Sequence, residues 1–493
     1  LTSATSATST SAPYDIARTV RDPDPGKAPG APPHPGLPHA EPPAELRLPL
    51  AERARLLASG RLNTVAWRAA AHRWATAADH IHRATTELRT VPPTGHDVRV
   101  GVKDTVDVAG FATRLGLRRY RHHPTRSAAP LRELRGVSVV AKLVTPELSI
   151  GQDHGCTNPL FPAVDPSGSS TGSAVAVAAH ICDVALGTDT VASVRYPAAA
   201  CGVVGLRLTH QPRLLDGVFQ LSPLLDAPGW LARTADDLAY FWYRAGLGGL
   251  GTPPPARDPR LPQNDTGLRI GIVREALEST LAPEIRAGLD TVTDRLARAG
   301  HDVVPVRLGE LWRHRATTYE LCVRTAWDAY QTVRDRLDDH LDESTRLALE
   351  AGADIGAARY DEIRAALDRT RARVPTLFAD QGVDLWLLPV DPRLPRAPQE
   401  SSASTSTIPH PAEPDFDQRV GFSPVASFAG LPAITFPVAV TSAPRVPVPL
   451  QAMGPAGSEP LLIRFAQEIA SLVDDLGIFP GPPSAPDPLG RTA

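Results

Sequence analysis

Apolar residues recur along this chain in two rhythms, and each predicts a different element. Between residues 44 and 90 the rhythm is helical: Leu46, Leu48, Leu50, Leu56 and Leu57, then Val65, Trp67, Ala70 and Trp74, return at steps of roughly three and four. Short apolar runs elsewhere read as strands: 98–102, which alternates and delivers Lys103, then 137–143, 184–186, 268–273, 303–306, 384–388, 434–440 and 446–450. Residues 173–180 are small and apolar and predict a buried helix with a serine–glycine tract at its N-terminus. A helical stretch at 283–299 separates two of the strands, and a strand–helix–strand run implies parallel pairing in one sheet. Residues 308–380 read as largely helical with an acidic and arginine-rich outer face. No internal repeat is seen.

The ends of the chain lack either rhythm. Residues 1–45 are Ser/Thr/Ala-rich and then Pro/Gly-rich, and residues 479–493 are Pro-rich. Such segments bury too little apolar surface to offset their ordering entropy, so they are read as a disordered arm and tail around one domain at 46–478. Residues 392–414 form a Pro/Ser/Thr-rich loop, read as a flexible flap.

Composition narrows the function classes. Hydrophobic residues make up 42% and charged residues 21%, which suits a soluble globular chain. A net charge of −3 gives no pull toward nucleic acid or an anionic membrane. Cys156, Cys182, Cys201 and Cys322 form no CxxC pair, so neither a disulfide scaffold nor a zinc site is predicted. His122-His123 and His154 with Cys156 fit no standard metal spacing. No signal peptide is visible, and a reducing cytoplasm is the expected location.

Of 51 basic Lys and Arg residues only three are lysine: Lys27, Lys103 and Lys142. Arginine is always charged, whereas a buried lysine can lose its proton and act as a base. Downstream of Lys103 lie two serine-bearing tracts, Ser167-Gly168-Ser169-Ser170-Thr171-Gly172-Ser173 and Gly187-Thr188-Asp189-Thr190-Val191-Ala192-Ser193-Val194-Arg195. Serine is a poor nucleophile until a nearby base takes its proton. No histidine stands where a serine hydrolase would need one, and no Gly-x-Ser-x-Gly elbow is present, so lysine is the candidate base.

These tracts resemble the amidase signature family. Further matches are Lys142 with Glu147, Asn158-Pro159, Arg195 with Pro197-Ala198, Cys201-Gly202, Gly205-Leu206, Asp226 with Gly229, Arg233 with Asp236, Pro389, Gly430-Leu431-Pro432, Pro437 and Gln451. The resemblance spans about residues 45–475. It implies a single large three-layer α/β/α domain around a twisted mixed sheet, and hydrolysis of a carboxamide without metal or organic cofactor. Ser193 would be the nucleophile, Ser169 (held in a cis peptide in that family) the proton relay, and Lys103 the base. Backbone N–H groups of Thr190, Val191, Ala192 and Ser193 would form the oxyanion hole. Ser170, Asp189 and Arg195 would support the site. Lys142 is read as a structural ion-pair partner of Glu147, and Cys201 as core.

The chain departs from the family pattern at three places. Val191-Ala192 replaces Gly-Gly before the nucleophile, Thr171 replaces a glycine, and Ser427 stands where asparagine is common. A β-branched valine tolerates neither a positive φ nor close backbone approach, so a reshaped or narrowed oxyanion loop is expected. Three other functions share the motifs. These are an amide-forming acyltransferase of secondary metabolism, a binding or scaffold protein that has lost turnover, and an amidotransferase subunit feeding ammonia to a tRNA-bound substrate. Expected partners are a small-molecule amide or acyl substrate, with a homodimer, or docking of an acidic carrier protein on the arginine-rich stretch 114–135, as further options; neither nucleic acid nor membrane is expected.

Overall fold

The computed structural model describes residues 41–89, 98–151, 154–247, 267–337, 341–398, 415–473 and 476–479. Most of the arm, the tail and the flap assigned from composition lies outside the described residues. The strands are β1 (Thr85–Leu88), β2 (Val98–Lys103), β3 (Val137–Leu143), β4 (Val184–Asp189), β5 (Val204–Arg207), β6 (Ala227–Ala232), β7 (Arg269–Val273), β8 (Asp302–Val306), β9 (Leu385–Pro389), β10 (Ala433–Val440) and β11 (Pro447–Met453). Among the described residues they form one 11-stranded sheet in the order β1-β3-β2-β4-β6-β5-β10-β11-β9-β7-β8. Pairing is parallel for β3-β2-β4 and β9-β7-β8, and antiparallel elsewhere. The parallel β7–β8 pair flanks the helix Pro283–Arg298, as its strand–helix–strand sequence implies.

Alternation along the strands builds three layers. Val98, Val100, Val102, Leu186, Trp230, Leu385, Leu387, Ile434 and Leu450 enter one apolar cluster with Leu238, Phe241, Leu289 and Leu462. These last four come from the helices Ala235–Arg244, Pro283–Arg298 and Glu459–Leu472. Residues one step along the same strands face the other way. Ala185 and Leu231 join Val175, Ala178 and Ala198, while Trp386 and Leu388 join Leu321, Leu367 and Phe428. That second layer comprises the helices Thr171–Ala178, Arg195–Cys201, Arg315–Val333, Ala357–Gln381 and Pro424–Ala429. The sheet thus lies between two helical layers, the α/β/α architecture expected.

Two regions differ from their sequence reading. The helical rhythm over 44–90 resolves into the helices Ala44–Arg47, Leu50–Ala58 and Thr64–His82, and then gives way to β1. Asn63 caps the longest of these, its side chain accepting from Ala66 N at 2.9 Å. Arg83 ends it with a left-handed φ of 52°. β1 pairs only with β3, so an edge partner rather than its own pattern makes it a strand. β5 and β6 have no counterpart among the predicted strands. β6 carries Pro228 and Gly229, which weaken a strand signal, yet it pairs on both sides with β4 and β5.

Candidate active site

Lys103 ends β2. Val98, Val100 and Val102 point into the first apolar layer, so Lys103, one step on, points to the opposite face. There it is fully buried. Its Nζ lies 2.8 Å from Ser169 Oγ and 2.8 Å from Thr188 Oγ1. Burial pushes the amine down to about 7, against the opposing pull of Asp226 and Asp189. Neither Asp104 nor Asp107 is its partner. Asp104 instead meets Lys142, at 3.4 Å.

Ser169 follows a cis Gly168-Ser169 peptide bond, just before the helix Thr171–Ala178. Thr171 is the first residue of that helix, and its hydroxyl donates to Ser167 O at 2.5 Å. The threonine therefore ties the serine loop to its helix. Ser170 is locked against β4: its hydroxyl donates to Thr188 O at 3.1 Å and accepts from Thr188 N at 3.3 Å. This approach requires a glycine in β4, because a Cβ on Gly187 would lie 2.6 Å from Ser170 Oγ.

Ser193 sits on the turn between β4 and the helix Arg195–Cys201 and is partly exposed. The Ser170 N–H donates to the Ser193 carbonyl at 3.0 Å, which brings the two serine tracts together. Among the described residues the Ser193 hydroxyl has no hydrogen-bond partner, and no acceptor takes the N–H groups of Thr190, Val191, Ala192 or Ser193. Four neighbouring backbone donors on this turn are thus left open beside a free hydroxyl. Val191 and Ala192 do not have positive φ, so these residues carry no left-handed strain where the family pattern has glycines.

A buried ionic frame holds the turn. Asp189 receives Arg195 Nε and Nη2 at 3.0 Å each, Arg207 Nη1 at 2.9 Å, and the Val194 N–H at 3.2 Å. Burial alone would raise the Asp189 carboxyl, but the two guanidinium groups hold it well below the carboxylate range. Arg195 also reaches Val191 O at 2.8 Å, Ser427 Oγ at 2.9 Å and Ser423 O at 2.7 Å. Ser427 in turn donates to Val191 O at 3.0 Å. Serine in place of asparagine thus still bridges Arg195 to the turn. With its donors committed, Arg195 is a brace, and its partner is the internal carboxylate.

Geometry also places Lys142 and Cys201. Lys142 pairs with Asp104 and donates to Val106 O and Thr113 Oγ1, and Glu147 instead accepts from Asp342 N at 2.8 Å, so the expected Lys142–Glu147 pair is replaced. Strand β3 directs the lysine toward the loop after β2. Cys201 is buried core, its thiol pushed well above the usual range by burial. Among the described residues no group of three His, Cys, Asp or Glu side chains could hold a metal, and no helix is long and apolar enough to cross a membrane. Sequence reasoning missed Thr188, Arg207 and Ser423 as site residues. Thr188 lay inside the quoted tract, but only the register of β4 against β2 places its hydroxyl on Lys103.

A fully buried lysine meets Ser169 and Thr188 at one face of an α/β/α sheet. Residues 57–463 match the Amidase family model. The chain is 32% identical over 407 residues to the 2-amino-5-chloromuconic acid deaminase of Comamonas testosteroni, covering 78% of this chain and 84% of that protein. It is 28% identical over 414 residues to the mandelamide hydrolase of Pseudomonas putida, covering 76% of this chain and 78% of that protein. A crystal structure of an amidase superposes with a TM-score of 0.71 at 25% identity, covering 87% of this chain and all of that one. The chain belongs to the amidase family and is an amidase-type enzyme.

Proposed function

We propose that this enzyme cleaves a carboxamide by acyl transfer through Ser193, with Ser169 as proton relay and Lys103 as base. The observation that carries the reading is the fully buried Lys103 amine, 2.8 Å from the Ser169 hydroxyl and held near neutrality by its desolvation. A neutral amine has one lone pair. Thr188 accepts one of its N–H groups, leaving the lone pair for the Ser169 proton.

Substrate binding closes the contact between the two serine hydroxyls, since catalytic hydrogen bonds tighten in the bound complex. Ser193 Oγ attacks the carbonyl carbon while its proton passes to Ser169 and the Ser169 proton passes to Lys103. The negative oxygen is received by N–H groups of residues 190–193. One such donor is typically worth roughly 2.7–4 kcal/mol of barrier. The proton returns through Ser169 to the nitrogen, the C–N bond breaks, and an amine and an acyl-serine result. Water, activated by the same relay, releases the acid. The substrate proposed is a small linear carboxamide. Transfer of the acyl group to an amine in place of water uses the same intermediate.

The test is intact-mass spectrometry after incubation with a serine-directed fluorophosphonate. One adduct on wild type and none on Ser193→Ala is the expected result. Labelling that survives in Ser193→Ala would show that the nucleophile lies elsewhere.

A further inference from the structure

Asp226 is a buried carboxyl group that the reaction as written does not use. It stands one residue before β6, and in the β4–β6 ladder Asp189 pairs with Ala227, so Asp226 falls opposite Thr190. Its Oδ1 accepts the Thr190 hydroxyl at 2.6 Å and its Oδ2 accepts the Ser222 N–H at 3.0 Å. Its own N–H donates to Ser222 O at 2.8 Å, which closes a tight turn. The carboxyl group is therefore rigidly mounted on one side and holds the first residue of the nucleophile turn on the other.

We propose that Asp226 is a positioning residue for the Ser193 turn: it clamps Thr190 through its hydroxyl and so fixes the start of the turn. The proposal rests on the acyl-transfer reading above. It gives the turn a second anchor. Arg195 and Arg207 hold the turn from Asp189, while Asp226 holds it from the facing strand.

Several charged and titratable groups face this carboxyl. Lys103 approaches from β2, Arg207 from β5 and Cys322 from the helix Arg315–Val333, while the His210 ring lies 2.8 Å from the Asp226 carbonyl. Arg207 stays charged. Cys322 stays a thiol, since burial raises it, and burial pushes His210 down to about 4. Lys103 and Asp226 are left as the two groups that titrate near neutrality, burial having pushed Asp226 up to about 7. A charged Asp226 favours the ammonium form of Lys103.

The clamp and the charge separate by substitution. Asp226→Asn removes the charge and keeps both hydrogen bonds: the amide oxygen accepts from Ser222, and the amide N–H donates to the Thr190 hydroxyl, which turns round. Thr190→Val removes the clamp and leaves the charge. The experiment measures the rate of fluorophosphonate labelling from pH 5 to 9 on the full chain. Asp226→Asn is expected to move the acid limb to lower pH by at least about half a unit, because a negative charge that favours the ammonium is removed. Thr190→Val is expected to slow labelling by at least about tenfold with the limb in place, and Thr190→Ser, which restores the hydroxyl, to recover most of that loss. If Thr190→Val labels at the wild-type rate, the assignment is overturned. Equal losses in Thr190→Ser and Thr190→Val would also overturn it, since the hydroxyl would then not matter. A wild type that takes no adduct, or a Ser193→Ala protein that still does, defeats the acyl-transfer reading itself and the assignment with it.

Discussion

Lys103 shows how one residue's burial becomes reactivity. The charged form of an amine is penalised away from water, and here no carboxylate lies within ion-pairing distance to compensate. The sign of the pH dependence follows. Below about pH 7 the amine is protonated and cannot take the Ser169 proton; above it the base is free. Labelling of Ser193 is thus expected to rise with pH through about 7 and then level off. Lys103→Arg should lose activity almost as fully as Lys103→Ala, because a guanidinium keeps its proton throughout this range. Labelling of Lys103→Arg at a tenth of the wild-type rate or more would refute the base assignment. Lys142 is the instructive contrast: it is equally buried and its amine is also pushed down, yet Asp104 sits against it and no serine does.

Among the secondary-structure elements, the site is a junction between strand β4 and two helices that start beside it. The helix Thr171–Ala178 is almost entirely Ala, Val, Gly and Ser, and every one of its residues is buried. Small side chains let it lie close to the sheet, and Gly187 removes the last obstacle beneath Ser170. Gly187→Ala is expected to cost about 1–3 kcal/mol of stability by overpacking, read by urea denaturation. It should also slow Ser193 labelling, since Ser170 and the Ser193 carbonyl share a hydrogen bond. A variant with unchanged stability and labelling would mean that the contact is slack.

Across the full sheet, the two parallel groups of strands are joined by the antiparallel centre β6-β5-β10-β11. The catalytic candidates lie on β2, β4 and their loops, near one end, while the helices Arg315–Val333 and Ala357–Gln381 that cover the same face pack against β9 and β7. Strands β4 and β6 are buried throughout, whereas edge strand β1 is only half-buried and edge strand β8 is partly exposed. Amide hydrogen exchange read by mass spectrometry should therefore be slowest in β4 and β6 and fastest in β1 and β8. Uniform exchange across the sheet would contradict this ranking of local stability.

The alternation of strands and helices was legible in the chain of residues, while the α/β/α class and the choice of Lys103, Ser169 and Ser193 for testing came with the family resemblance that the motifs carry. Each depends on local information: a period, a rare residue type kept in place, a motif of fixed spacing. Strand β5 and strand β6 were not legible, because Gly and Pro dilute their pattern and pairing on both sides makes them strands. The partner of Lys142, the bridging role of Ser427, the contact of Thr188 with Lys103 and the clamp between Asp226 and Thr190 emerged only once the chain was folded. These pairs lie as far as 236 residues apart in the chain. Their meeting is set by sheet register and by the demand that each buried polar group find a partner, and neither is written in local spacing.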